Sequence, residues 1–287
     1  MNIKNILLVA WNEYVKWIAT PKMIVILVIL IPIREMVILP LITASDQMCM
    51  PINILEPCIG TINSWVGVML ITLSFIILSS SFPTMDGNML FYISRMGRSN
   101  WIIGEMLFQL LSAVSYCVII MVGIVVQTAS VSFFGNGWSI VVTDYDTVCG
   151  DMATEKLSGI VPPSLYFQIT PYKAFLLSFV LLFLMLLFCS LMFLIGCMYS
   201  KKLLLFFMVV VQISIGCGFI WINNKGMWFF PISHSMLQLH YHKCFREYVF
   251  PPWASIVLLL VVEIVFMVII YRKAKKVSLD MIEGSTS

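Results

Sequence analysis

The chain has 287 residues, 61% of them hydrophobic and only 11% charged, with a mean hydropathy of +1.00. A soluble globular domain carries about 25% charged residues, so most of this surface must meet lipid, and once six spans are set aside no stretch remains for a soluble catalytic domain. The net charge of +3 is too small to argue for a nucleic-acid partner; the placement of the basic residues is the informative feature.

The first twenty residues predict an interfacial amphipathic helix. Ile3, Ile6, Leu7, Ala10, Tyr14, Trp17 and Ile18 share one face at 3.6-residue spacing, with Asn5, Asn12, Glu13 and Lys16 opposite. Trp11 and Trp17 suit the headgroup level; the alternative is an amphipathic helix packed on the protein itself. Pro21 separates this helix from the first span. Apolar character begins at Met23, late for a signal peptide, and Arg34 and Glu35 come after it without a small-residue cleavage site, so the first span reads as retained.

About 20 apolar residues cross a bilayer core, and six runs qualify: 23–42, 62–81, 101–131, 174–199, 203–222 and 254–271. Placing both termini in the cytoplasm puts Lys4, Lys16, Lys22, Arg95, Arg98, Lys201, Lys202, Arg272, Lys273, Lys275 and Lys276 inside. Only Lys156, Lys173, Lys225, Lys243 and Arg246 then lie outside, although the outer segments are longer. The positive-inside rule favours this topology. The fold class is therefore an all-α integral membrane protein of six transmembrane helices.

Charges within spans are costly and are usually paired or functional. Arg34 and Glu35 in the first span and Glu263 in the last qualify. Arg34 lies 11 residues from the inner end of its span and Glu263 lies 8 from the inner end of its own, so their depths differ by only ~5 Å. Arg34 is expected to face Glu263, or a charge on a second protomer, rather than its neighbour Glu35. A structural ion pair and a substrate or gating role are both open readings. Pro32 loosens the backbone at the same depth.

Between spans two and three runs FPTMDGNMLFYISRMGRSN, residues 82–100. Pro83, Asp86 and Gly87 break the preceding helix, 89–95 can form two helical turns, and Gly97 can cap them. Such a turn at the cytoplasmic surface exposes Met89, Leu90, Phe91 and Tyr92 and is longer than a mere link. It would either dock a partner or rest in the interface. Outside, 43–61 is acidic or neutral. The long segment 132–173 contains WSIVVTDY, whose β-propensity allows a small folded cap. The last outer segment, 223–253, reads as a short re-entrant or interfacial helical element. Its His234, His240 and His242 are residue types that ligate zinc or copper, but no standard metal spacing is met. Cys49, Cys58, Cys149 and Cys244 lie outside the spans, where disulfides could form with a connectivity that spacing does not fix. HExxH, GxxxxGK[ST] and GxSxG motifs are absent, and internal duplication is not visible.

The layout as a whole resembles the membrane subunit of a type-2 ABC transporter. The shared features are an amphipathic helix before span one, six spans, a cytoplasmic helix between spans two and three, and a broken outer segment before span six. FPTMDGNMLFYISRMGRSNWIIGE, residues 82–105, is similar to the coupling-helix region of such permeases in Gram-positive bacteria. The resemblance implies a permease without a catalytic site or cofactor of its own, in a bacterial cell membrane. It also implies a second permease chain, alike or different, and separate ATPase chains holding ATP and magnesium. Residues 89–95, flanked by Asp86 and Arg98, would seat in the ATPase, and Glu105 would sit at the inner end of span three. The 132–173 connection is longer than this family's usual link. Two rival readings are an ion-driven transporter or channel working through Arg34, Glu35 and Glu263, and a membrane metalloenzyme using the external histidines.

Overall fold

A computed structural model of the chain describes residues 2–82, 93–149, 157–242 and 245–275. Among these residues the protein is almost wholly helical. The elements are α1 (Ile3–Ala19), α2 (Ile24–Ile33), α3 (Leu39–Met48), α4 (Glu56–Asn63), α5 (Trp65–Ser79), α6 (93–96) and α7 (Arg98–Thr128). They continue with α8 (Ile140–Val148), α9 (Pro163–Tyr166), α10 (Pro171–Met198), α11 (Lys202–Trp221), α12 (Pro231–Ser235) and α13 (Pro252–Ala274). The two-residue strands β1 (Ile52–Asn53) and β2 (Ser132–Phe133) pair in parallel.

Among the described residues five segments are long and apolar enough to cross a bilayer: Pro21–Met48, Arg98–Val131, Pro171–Met198, Lys202–Trp221 and Pro252–Ala274. The chain is a multi-pass membrane protein. The expected second span is not one straight rod. α5 has 15 residues, about 22 Å, which is short of a ~30 Å hydrocarbon core; α4 precedes it at an angle of 81°. The bend is built by close approach. Ser64 accepts a hydrogen bond from the Gly67 amide, and a Cβ on Gly67 would stand 2.2 Å from the Thr61 carbonyl oxygen.

α10 is the centre of the bundle. Most of its most apolar window is buried (72%), against 22% for α11 and α13, and it packs on α4, α5, α7, α11, α12 and α13. We call the end that holds α1, the start of α7 and the close of α13 the basal end, and the opposite end the cap end.

α1 does not lie across the bundle. Its start meets Asn100, the Asn2 amide donating to that side chain, and Tyr14 bonds Ser115 at 2.7 Å, so it runs lengthwise along the basal half of α7. Its buried face is Ile6, Val9, Ala10, Glu13 and Trp17, while Ile3, Leu7, Trp11 and Ile18 are exposed. The helix is apolar on both sides, so packing on the protein claims one face and leaves the other to lipid. Glu13, expected on the polar face, is buried and held by Lys16 at 2.7 Å.

The first crossing bends as Pro32 predicts. Proline removes a helical donor and crowds the preceding turn; the chain responds with one π-helical stretch, Arg34–Ile38, before resuming as α3. α3 then leaves the bundle. Its Leu41 and Ala44 join Ile52, Val141, Val142, Tyr145 and Val161 in a separate apolar cluster, the core of the cap. WSIVVTDY is helical there rather than extended: Ser139 caps α8, and Val141, Val142 and Tyr145 bury at helical spacing.

Candidate functional site

The basal face is the surface where coupling was expected. Asp86, Met89, Leu90, Phe91 and Tyr92 lie outside the described residues. The chain re-enters at α6, where Ile93 is buried and Arg95 exposed. Gly97 ends that turn with a φ of 83°, its amide bonded to the Ile93 carbonyl, and α7 starts at once. Glycine fits this positive φ without steric cost.

Ile93 belongs to an apolar cluster that joins Val9, Trp101, Ile102, Leu191, Leu194, Met198, Ile270 and Ala274. The connection is therefore anchored to α1 and to the basal ends of the three longest helices at one point. Phe82 closes α5 against Phe108, rings 5.4 Å apart, so α7 projects nearly three turns beyond α5 on this side. Arg98 donates to the Lys275 carbonyl at the close of α13. An open cleft of about 460 Å³ lies between, lined by Met96, Gly97, Arg98, Ser99, Asn100 and Lys275.

The intramembrane charges do not meet as expected. Arg34 is exposed and reaches Gln127 at 3.4 Å, one residue from the cap end of α7, and Glu35 is exposed beside it. The first crossing starts higher along α7 than residue counting assumed, because α1 occupies the basal half. Arg34 thus lies level with the cap end of α7. Glu263 instead lies in the buried stripe of α13, with Ser255, Leu259 and Ile270. One of its carboxylate oxygens has no hydrogen-bond partner among the described residues. Within one chain the Arg34–Glu263 pair is not formed. Glu105 is buried one turn beyond Trp101 and Ile102.

At the cap end the polar chemistry is denser. Glu56 is fully buried and accepts from the Asn53 amide (2.9 Å), the Ser139 amide (2.6 Å) and the Ser139 hydroxyl (2.7 Å). Asn63 donates to Ser178 on α10 and accepts from the Gln238 amide. His234 and His240 both converge on Ser255, at 2.7 and 2.8 Å. Their remaining nitrogens face the carbonyls of Trp228 (2.9 Å) and Met236 (3.0 Å), which leaves no ring nitrogen of either for a metal. His242 stands apart, its ring 4.9 Å from Phe245. Burial lowers the pKa of His234 and takes that of His240 to about 4. Cys49, Cys58 and Cys149 are free thiols, Cys58 buried inside the bundle rather than in an outer loop; Cys244 lies outside the described residues.

Glu56, Asn63 and Ser255 were not singled out from the sequence. Their only local signal is polarity at the edge of an apolar run, with Glu56 set directly before Pro57 at a helix start. Compared with family models, curated proteins and solved structures, the chain finds no match.

Proposed function

We propose that this chain is the membrane-spanning permease subunit of an ATP-driven ABC transporter. In this reading it exports a peptide, drug or lipid-like substrate across a bacterial cell membrane. Both termini are cytoplasmic, ATP and magnesium are bound by separate ATPase chains, and a second permease chain, alike or different, completes the path. The observation that carries the reading is the anchoring of α6 in the basal cluster. A push on the connection between α5 and α7 would act, through Ile93, on the apolar cluster that joins the ends of α7, α10 and α13. Closure of the ATPases would move the connection, and the stiff α10 would convey the displacement towards the cap end. Lys22, Arg95, Arg98, Arg272 and Lys273 cluster on the basal side of the bundle, as the positive-inside rule requires of a cytoplasmic face.

The test is co-purification of the native complex with charge substitutions Leu90→Glu and Phe91→Glu. Association with an ATPase chain and ATP-driven transport are expected to fall together. Retention of both in the double variant would refute the coupling assignment, as would protease access showing that 82–100 faces the exterior.

A second reading is favoured by Glu263, a buried carboxyl at mid-span with an unsatisfied oxygen. In an ion-driven transporter this group would carry the coupling proton. Glu263→Gln then abolishes transport without any change in ATPase association, whereas a permease whose Glu263 is structural keeps its transport.

A further inference from the structure

The contacts around Ser255 do not balance for neutral side chains. His234 Nε2 faces the Trp228 carbonyl, His234 Nδ1 and His240 Nε2 both face Ser255 Oγ, and His240 Nδ1 faces the Met236 carbonyl. Each of these four contacts needs one hydrogen. Two neutral imidazoles supply one each and the serine hydroxyl supplies one, so every choice of tautomers leaves one contact as two facing lone pairs. One added proton completes the set. Either ring then donates from both nitrogens, Ser255 accepts from that ring and donates to the other, and the neutral ring donates to its carbonyl. Moving the serine hydrogen transfers the charge between rings, so the two arrangements interconvert. A second added proton would leave the hydroxyl hydrogen without an acceptor and put two cations against one oxygen.

The surroundings suit a single positive charge. The Trp228 ring lies 5.3 Å from His234 and 5.2 Å from His240, and Phe250 stacks on Trp228 at 4.8 Å; a cation held against an aromatic system is stabilised, more so when desolvated. All three polar side chains are at most 2% exposed. The ionisable groups towards the cap end of the elements packed around them include Tyr166 on α9, Tyr172 and Lys173 on α10, Cys217 on α11, Lys225 before Trp228, Glu263 along α13, and Tyr241, His242, Arg246, Glu247 and Tyr248 beyond His240. Among the described residues none of these hydrogen-bonds to either ring.

We propose that His234, Ser255 and His240 form one proton-binding site, between the 228–240 segment and α13, that takes up a single proton shared by the two imidazoles. Burial opposes uptake, while the empty fourth contact and the aromatic wall favour it. The site titrates as a unit with one macroscopic midpoint. It does not depend on how transport is powered.

The experiment is nitrogen-15 NMR of histidine-labelled full-length protein in lipid nanodiscs, titrated from pH of about 4 to about 8, a range that spans the ordinary imidazole pKa. The chain has three histidines, so His242→Asn isolates the pair. The expected result is that His234 and His240 shift together, with a combined amplitude of one proton. Ser255→Ala removes two contacts and one hydrogen, leaving two ring hydrogens for two carbonyls, so uptake in this range is lost. Two independent transitions of full amplitude overturn the proposal. So does a pair that takes up no proton in the range, or a folded Ser255→Ala protein that titrates like the parent. If Ser255→Ala does not fold, the titration of the parent alone decides.

Discussion

The two ends of this bundle are held by different physics. At the basal end α1, α6, α7, α10 and α13 meet largely through apolar side chains; the side-chain hydrogen bonds between elements among the described residues include Tyr14 to Ser115, Asn100 accepting from the Asn2 amide, Arg98 to the Lys275 carbonyl, Lys22 to Ser80 and Ser99 with Tyr271. At the cap end directional contacts bind distant segments. Glu56 fastens α4 to α8, Asn53 donates to the Gly135 and Gly137 carbonyls, Trp138 donates to Ile169, and Asn63 ties α4 to α10 and to the Leu237–His240 turn. Apolar surfaces can slide past one another at small cost. Buried hydrogen bonds cannot, because a displaced partner leaves a desolvated polar group unsatisfied. If the connection between α5 and α7 is pushed, this contrast leads us to expect the basal end to yield before the cap end.

The largest expected effect is at the cap end. Glu56→Ala orphans two backbone amides and the Ser139 hydroxyl, and at about 1–3 kcal/mol for each buried group left unsatisfied it should cost about 4 kcal/mol. Glu56→Gln keeps an acceptor oxygen and should cost roughly half that, since only part of the charge-assisted bonding is lost. Thermal unfolding in detergent, with proteolysis of 132–170 as a local readout, separates the two. Equal Tm values for parent and Glu56→Ala would contradict the clasp.

The crossings were legible in the sequence because lipid demands long apolar runs, and the helix breaks were legible at Pro21, Pro32 and Gly97 because those residues restrict the backbone whatever surrounds them. The buried face of α1 was not. Ile3, Leu7 and Trp11 are as apolar as Ile6, Val9 and Trp17, so periodicity alone does not choose the side that meets α7. In WSIVVTDY the β-branched run outweighed the spacing of Val141, Val142 and Tyr145 that the helix uses. The Glu56 clasp was invisible for a different reason: its partner Ser139 is 83 residues away, and no local pattern reports such a contact. The histidines could be picked out by residue type, but the serine that organises them sits in the first turn of an apolar span.

A middling effect is expected where α1 meets α7. A Cβ on Gly104 would lie 2.7 Å from the Val9 Cβ, so Gly104→Leu must push α1 outward. Overpacking of this kind costs about 1–3 kcal/mol. Because the contact is almost purely apolar, displacement rather than unfolding should relieve it. Protease access to α1 should rise several-fold while cleavage of the cap stays unchanged. A parallel rise at both ends would erase the distinction between them.

The smallest effect sharpens it. Tyr14→Phe removes the 2.7 Å bond to Ser115 and keeps the ring against Trp17, whose centroid is 5.9 Å away. Tyr14 is only partly buried, and on the α7 surface the freed serine hydroxyl can bond back to a carbonyl of its own helix, so no group is stranded. A typical intramolecular hydrogen bond contributes about 1 kcal/mol net, and this one should give that or less. Asn63→Leu, similar in size but at the cap end, strands the Gln238 amide and removes the donor to the buried Ser178, and should cost more. A ratio near unity between the two Tm shifts would show that burial depth, not the kind of contact, governs how firmly each end is held.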